Sequence, residues 1–377
     1  MTPTPAPSFP PSRGPRPNGF LHLQARRTMA STRRRPTHLL AVLLAAATVV
    51  GCDVKWGGGH VTLERPQAGG AAAGSTGVAA PPPVPLPTAP FAYVVRLQAD
   101  GTAAAVPFAH VGSQGLQALA WPSDADAEYR ARFDSAFAAP GTTLSLQISG
   151  EPAGTLIVSG TRVSVNAGCP SVVDARALVL PGQDVPRWAF AIGPAPADAV
   201  PARVPVQGLD DRTRTFGPIL AENLLRQAGV DRPYLAQRAD LRRVTLPGDT
   251  LAAMAATYLI GDTLAPVPPT SGSATSLFYL ARFESARGYV PVWSVVHGYG
   301  SESGKRALSW LGALEAGGSR LYMLRLTDGS GEWIAAHRAG ASAELAFTEE
   351  GSCPALRGVS EAPRAASPQV EGAASGG

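Results

Sequence analysis

Reactive side chains are scarce in this chain, and their spacing decides what chemistry is open to them. Six of the 377 residues are histidine and three are cysteine. His22, His38 and His60 fall in the first 60 positions, which leaves His110, His297 and His337 for the rest. No HExxH and no CxxC occurs, so no ligand set at zinc spacing is present, and no metal or other cofactor is expected. The best acid–base candidate is His297, which precedes Tyr299 and Glu302 in a loop after an apolar strand. An imidazole titrating near neutrality moves protons once a carboxylate orients it, although a loop histidine more commonly serves structure. The same loop, Gly298-Tyr-Gly-Ser-Glu-Ser-Gly-Lys305, has the look of a phosphate loop. Gly300 to Gly304 is one residue short of the GxxxxGK spacing, and Arg306 stands where Ser or Thr must reach magnesium. As a GxSxG elbow the stretch puts Glu302 at the centre instead of serine. It reads as a Gly/Ser surface loop. Asp124, Asp126, Asp134, Asp210 and Asp211 are scattered, and the first two are accounted for as helix-start residues.

The cysteines carry more information. Arg33-Arg34-Arg35 precedes an uncharged, proline-free run from Leu39 to Gly51, and no acid occurs in the first 51 residues. That run is 13 residues long, short of the roughly 20 that span a bilayer as a helix. A basic n-region, a short apolar h-region and small residues at its end form a secretory signal peptide. Val49-Val50-Gly51-Cys52 resembles the lipobox of bacterial lipoproteins. The resemblance implies a diacylglyceryl group on the Cys52 thiol, cleavage after Gly51 and acylation of the new amino terminus. It also implies a place in the cell envelope, anchored to the inner or outer membrane and facing the periplasm or surface. One acyl chain holds a protein marginally, and two or three make a lasting anchor. The alternatives are an ordinary signal peptide and an uncleaved apolar anchor. Residues 29–51 (from Met29) have the length of a normal signal peptide. The proline-rich residues 1–28 are then expected to lie before the true start codon. A twin-arginine signal fits less well, because Pro36 and Thr37 follow the arginine pair.

Cys169 and Cys353 remain, each followed by proline and 184 positions apart. An even pair in an exported chain points to a disulfide; the alternative is two buried free thiols. The formal charge of +4 misleads about partners. Seven arginines lie in the first 51 residues, so the rest holds 25 basic and 28 acidic residues. No basic patch with interleaved aromatics occurs, and nucleic acid is not an expected partner.

The elements that must position these residues are mostly strands. Residues 52–90 are Gly-, Ala- and Pro-rich and form a flexible linker. Residues 91–200 read as a β-rich subdomain with one helix. Its strands are Phe91–Leu97, Ala103–His110, Thr143–Ile148, Thr155–Val158, Arg162–Val165, Ala177–Leu180 and Trp188–Ile192. The helix, Glu128–Phe137, has Ser123 as its N-cap and seats Tyr129, Phe133 and Phe137 on the sheet. Residues 193–215 look like a connection. Residues 201–354 read as a second subdomain. A helix at Pro218–Gly229, apolar along Ile219, Leu220, Leu224 and Leu225, precedes an antiparallel meander of eight strands between Leu241 and Phe347. Residues 355–377 are expected to be disordered. The fold class is therefore β-rich α+β, with mostly antiparallel strands and about two helices, behind a signal peptide and a disordered tether. Residues 310–338 weakly resemble the hairpins of integrin-like calcium repeats. Only Glu315 keeps a carboxylate there, so no calcium site is carried over.

These readings converge on a lipid-anchored envelope protein that binds or scaffolds an envelope protein or a glycan without catalysis. The alternative is an envelope hydrolase whose site is assembled from residues distant in sequence, with His297 and Glu302 as candidates.

Overall fold

The computed structural model describes residues 82–360, apart from 123–124, 165, 167, 180–185, 197–200, 203–208, 247–252, 270–271, 301–303 and 341–342. Cys52, Ser123, Asp124 and Glu302 lie outside the described residues. The fold is β-rich α+β, its named strands paired antiparallel and joined by three α-helices among the described residues.

The first part holds β1 (Phe91–Leu97), β2 (Thr102–Gly112), β3 (Gly115–Ala118), α1 (Ala127–Phe137), β4 (Thr143–Ile148), β5 (Glu151–Arg162), β6 (Val172–Ala177) and β7 (Trp188–Gly193). Pairing runs β1-β7-β4-β5-β6-β2, and β2 returns to β1, so six strands close into a barrel with β3 on the far half of β2. Closure leaves none of the six with an exposed edge along its paired length. Alternation sorts the side chains of β1. Phe91, Tyr93, Val95 and Leu97 enter one core, while Ala92 and Val94 enter another on the opposite face. Helix α1 sets Phe133 and Phe137 against Phe91, with ring centroids 5.5 and 4.9 Å away.

Several local details differ from the sequence expectation. The N-cap of α1 is Asp126, whose carboxylate accepts the Tyr129 N–H at 2.7 Å. β5 is one strand where two were expected, because a bulge at Val158/Gly160 absorbs the glycine without ending the ladder. β6 ends at Ala177 where a strand was expected to begin, since Val172, Val173, Ala175 and Ala177 are the residues that bury. The linker's last residues pack: Leu86 joins the first core, and Arg132 donates to the Val84 carbonyl at 2.9 Å.

Helix α2 (Asp211–Gln227) starts two turns before Pro218, capped by Asp210, which accepts the Thr213 N–H at 2.7 Å. Pro218 therefore stands inside the helix, and residues 211–215 are not a connection. Its buried stripe is Thr213, Gly217, Ala221, Leu224 and Leu225, whereas Ile219 is 52% exposed. The small residues face inward because the helix lies close to the sheet. A Cβ on Gly217 would stand 3.2–3.3 Å from Tyr258 and Leu241. Beneath it lies a meander of β8 (Gln237–Val244), β9 (Ala253–Ile260), β10 (Ala274–Glu284) and β11 (Gly288–Tyr299). A second meander follows: β12 (Ala307–Ala316), β13 (Ser319–Thr327), β14 (Glu332–Arg338) and β15 (Leu345–Thr348). Its first hairpin turns on Gly317 and Gly318 at φ 58° and 70°, the left-handed conformation that a two-residue hairpin needs. Glu315 faces Arg320 across this hairpin.

The β12–β15 sheet is buried on both faces. Leu311, Leu314, Met323 and Ile334 meet the outside of the barrel, and Trp310, Ala313, Tyr322 and Leu324 meet β8–β10. The layers therefore run α2, β8–β11, β12–β15, barrel, and residues 307–348 share cores with residues on either side of position 200. Gln147 of β4 stitches barrel to sheet. Its carboxamide accepts the Glu315 N–H at 2.9 Å and donates to the Glu315 carbonyl at 3.3 Å.

The stretch from 355, expected to be disordered, opens with α3 (Ala355–Ser360), whose Ala355, Leu356 and Val359 complete the core between barrel and sheet. A disulfide joins Cys169 to Cys353 just before it. Glu349 is fully buried there, accepting the Ile334 N–H at 2.9 Å and the Ala355 N–H at 3.4 Å. Burial pushes its carboxyl up to about 8 against the opposing pull of these two donors.

Candidate functional site

Where the two meanders meet, their packed faces part into a cleft of about 210 Å³. Strand periodicity dictates which residues line it. On β11, Val295 and His297 are two apart and share a face. On the facing sheet, Leu308 pairs with Leu326, Ala335 with Thr348, and His337 with Leu345, which brings all six to one side. Arg306, just before β12, completes the lining. The floor is tied across the sheets: Thr257 donates to the Leu308 carbonyl at 2.7 Å, and Ser276 to the Arg306 carbonyl at 2.6 Å. These two hydroxyls satisfy backbone acceptors at the start of β12, an edge strand of its sheet.

His297 thus belongs to β11, opposite Ser276, and not to a loop. Its Nε2 donates to the Gly304 carbonyl at 3.2 Å, and its ring stacks on Tyr299 with centroids 5.7 Å apart. His337 stands 40 positions further along the chain, and sheet packing puts both imidazoles in one cleft. Its ring lies 4.9 Å from Trp293, and its Nδ1 is buried with no hydrogen-bond partner. Burial lowers its pKa, partly offset by the Ala343 backbone, which keeps the ring neutral at neutral pH. Arg306 is half-exposed at the mouth, 3.7 Å from the Glu350 carboxylate.

Beside the cleft lies a buried ionic cluster that the sequence reading missed. Lys305 is only 2% exposed. Its ammonium donates to the carbonyls of Thr263 at 2.6 Å, Ala265 at 2.8 Å and Val267 at 3.4 Å, and pairs with Asp262 at 2.9 Å. Asp262 also accepts the Tyr299 hydroxyl at 2.6 Å and the Thr263 N–H at 2.7 Å. Burial alone would raise the Asp262 carboxyl. The hydrogen bonds from Tyr299, Lys305 and Thr263, with the Lys305 charge, hold it below the usual carboxylate range. Burial, then the Asp262 bond and charge, raises the Tyr299 hydroxyl far above its ordinary value. The lysine that imitates a phosphate-loop lysine is therefore consumed by carbonyls and a carboxylate. It anchors the segment that carries Arg306 into the cleft. The one available signal was scarcity, since the chain has only two lysines, Lys55 and Lys305.

The other acids have structural work. Asp126 and Asp210 cap helices, Asp134 accepts from Ser171 at 2.7 Å, and Asp211 pairs with Arg214 at 3.7 Å. His110 lies against Phe91 and within 3.5 Å of the Thr88 hydroxyl. No protein-family model, no curated protein and no solved structure matches this chain.

Proposed function

We propose that this chain is a lipid-anchored cell-envelope protein whose body is a non-catalytic binding or scaffolding module, held from the membrane by the tether that follows Cys52. Its partners are the membrane, through the lipid on Cys52, and an envelope component taken by the body. The lipobox and the short apolar run support the address. The observation that carries binding over catalysis is the cleft's character: apolar walls from Val295, Leu308, Leu326, Ala335 and Leu345 around a few polar groups, the usual make-up of a ligand site.

The hydrolase alternative has one observation in its favour, that His297 does line the cleft. Its Nε2 is hydrogen-bonded to the Gly304 carbonyl at 3.2 Å, so that nitrogen already has a backbone partner. Intact mass of the native protein extracted from membranes tests the address. A mass of residues 52–377 plus acyl chains, gaining two hydrogens on reduction, is the expected result. An unlipidated mass that retains the leader refutes the anchor. Turnover of a panel of chromogenic esters, amides and glycosides tests the body, and any activity abolished by His297→Ala refutes the non-catalytic reading.

A further inference from the structure

The cleft's chemistry specifies a ligand more narrowly than its shape does. At roughly 30 Å³ per water-sized group, about 210 Å³ holds a chain of some seven heavy atoms. Leu326 and Ala335 are buried at its depth, while Leu345 and the Arg306 side chain are about half-exposed at its mouth. Among the described residues, none of the nine that line it is an acid, and the one permanent charge there is the Arg306 guanidinium. That guanidinium has five donors in a planar fork, and its contact with Glu350 is long at 3.7 Å and half-exposed on both sides. The fork is therefore free to take a second carboxylate in the bidentate geometry that arginine favours. His337 also lines the cleft, and burial keeps its ring neutral, so it adds no charge.

Resting on the reading of the body as a binding module, we propose that this cleft takes a small amphipathic carboxylate of about six to eight carbons, its head on Arg306 and its chain between Val295, Leu308, Leu326 and Ala335. The probes are butanoate, hexanoate, octanoate and the uncharged octanol. They are titrated calorimetrically into the mature chain, residues 52–377, carrying Cys52→Ser, which has neither lipid nor apolar leader, so that no detergent competes for an apolar site. One saturable site for octanoate is expected, with affinity rising about fourfold per methylene from butanoate to octanoate and flattening for longer chains. Arg306→Gln should weaken octanoate at least tenfold and leave octanol unchanged. Ala335→Leu, which fills the cleft, should weaken both. Leu345→Glu, a change at an exposed position that spares the core, removes one apolar wall and sets a like charge at the mouth, so it should weaken octanoate more than octanol. If octanol binds as tightly as octanoate and neither Arg306→Gln nor Leu345→Glu separates them, the carboxylate assignment falls while the cleft stands as an apolar ligand site. If neither octanoate nor octanol binds saturably, both the assignment and the cleft reading fall.

Discussion

Replacing Lys305 by methionine should be among the most damaging single changes in the body, although lysine is ordinarily a surface residue. Methionine keeps most of the length and apolar bulk, so the test isolates the ammonium. Its loss leaves Asp262, 4% exposed, with only the Tyr299 hydroxyl and the Thr263 N–H as partners. It also frees the carbonyls of Thr263, Ala265 and Val267, on an exposed turn where water can reach them. Removing one partner of a buried pair costs about 3–5 kcal/mol, because an uncompensated charge stays behind. For a body of this size that lowers Tm by roughly 6–20 °C. The exposed Arg306–Glu350 contact offers the contrast, since such pairs are worth about 0–1 kcal/mol and Glu350→Gln should leave Tm nearly unchanged. The pH dependence has a definite sign. The folded pKa of Asp262 is depressed, so its contribution is present above the unfolded carboxyl pKa and is lost as pH falls through the folded one. In Lys305→Met that carboxylate is unpaired and ready to protonate, so the deficit against wild type should be largest near pH 7 and shrink below about pH 4. Urea unfolding followed by tryptophan fluorescence at pH 7 and about pH 3 reads both effects. A Lys305→Met protein within 1 kcal/mol of wild type at pH 7, or a deficit that ignores pH, would refute the reasoning.

Three further outcomes follow from buried polar contacts and the disulfide. Gln147→Ala strands both backbone groups of Glu315 between barrel and sheet and should cost about 1–3 kcal/mol; an unchanged urea midpoint would show the stitch to be dispensable. Glu349, with its pKa raised to about 8, should make wild-type stability fall as pH rises from about 4.5 through 8, because the folded state holds the extra proton in that window. Glu349→Gln imitates the protonated form and should flatten this slope, so parallel Tm–pH curves for the two proteins would be the contrary result. Cys169→Ser with Cys353→Ser opens a loop spanning 184 positions and should cost about 2–5 kcal/mol on the chain-entropy account; equal Tm values with and without a reductant would count against it.

Much of the secondary structure was legible because its causes are local. Short apolar runs bounded by turn residues, some of them alternating, marked β1, β4 and all eight strands after position 236. Where the local signal was ambiguous, packing decided. Pro218 looked like a helix start, but an acid cap at Asp210 and the small residues Gly217 and Ala221 put the start earlier and turned Ile219 outward. Residues 355–360 looked too poor in large apolar side chains to fold alone. They become a helix because the barrel–sheet core and the Cys169–Cys353 bond receive them.

From sequence alone came the cysteine pairing, the β-rich class and the candidate His297. Each depends on residue type or on neighbours a few positions away. The closing of six strands into a barrel, the double burial of residues 307–348 and the meeting of His297, His337 and Arg306 in one cleft depend on contacts between distant segments. So does the fate of Lys305. Its ammonium is buried because Asp262 and three carbonyls some 40 positions earlier fold back around it, and no local pattern records which segment will supply the oxygens.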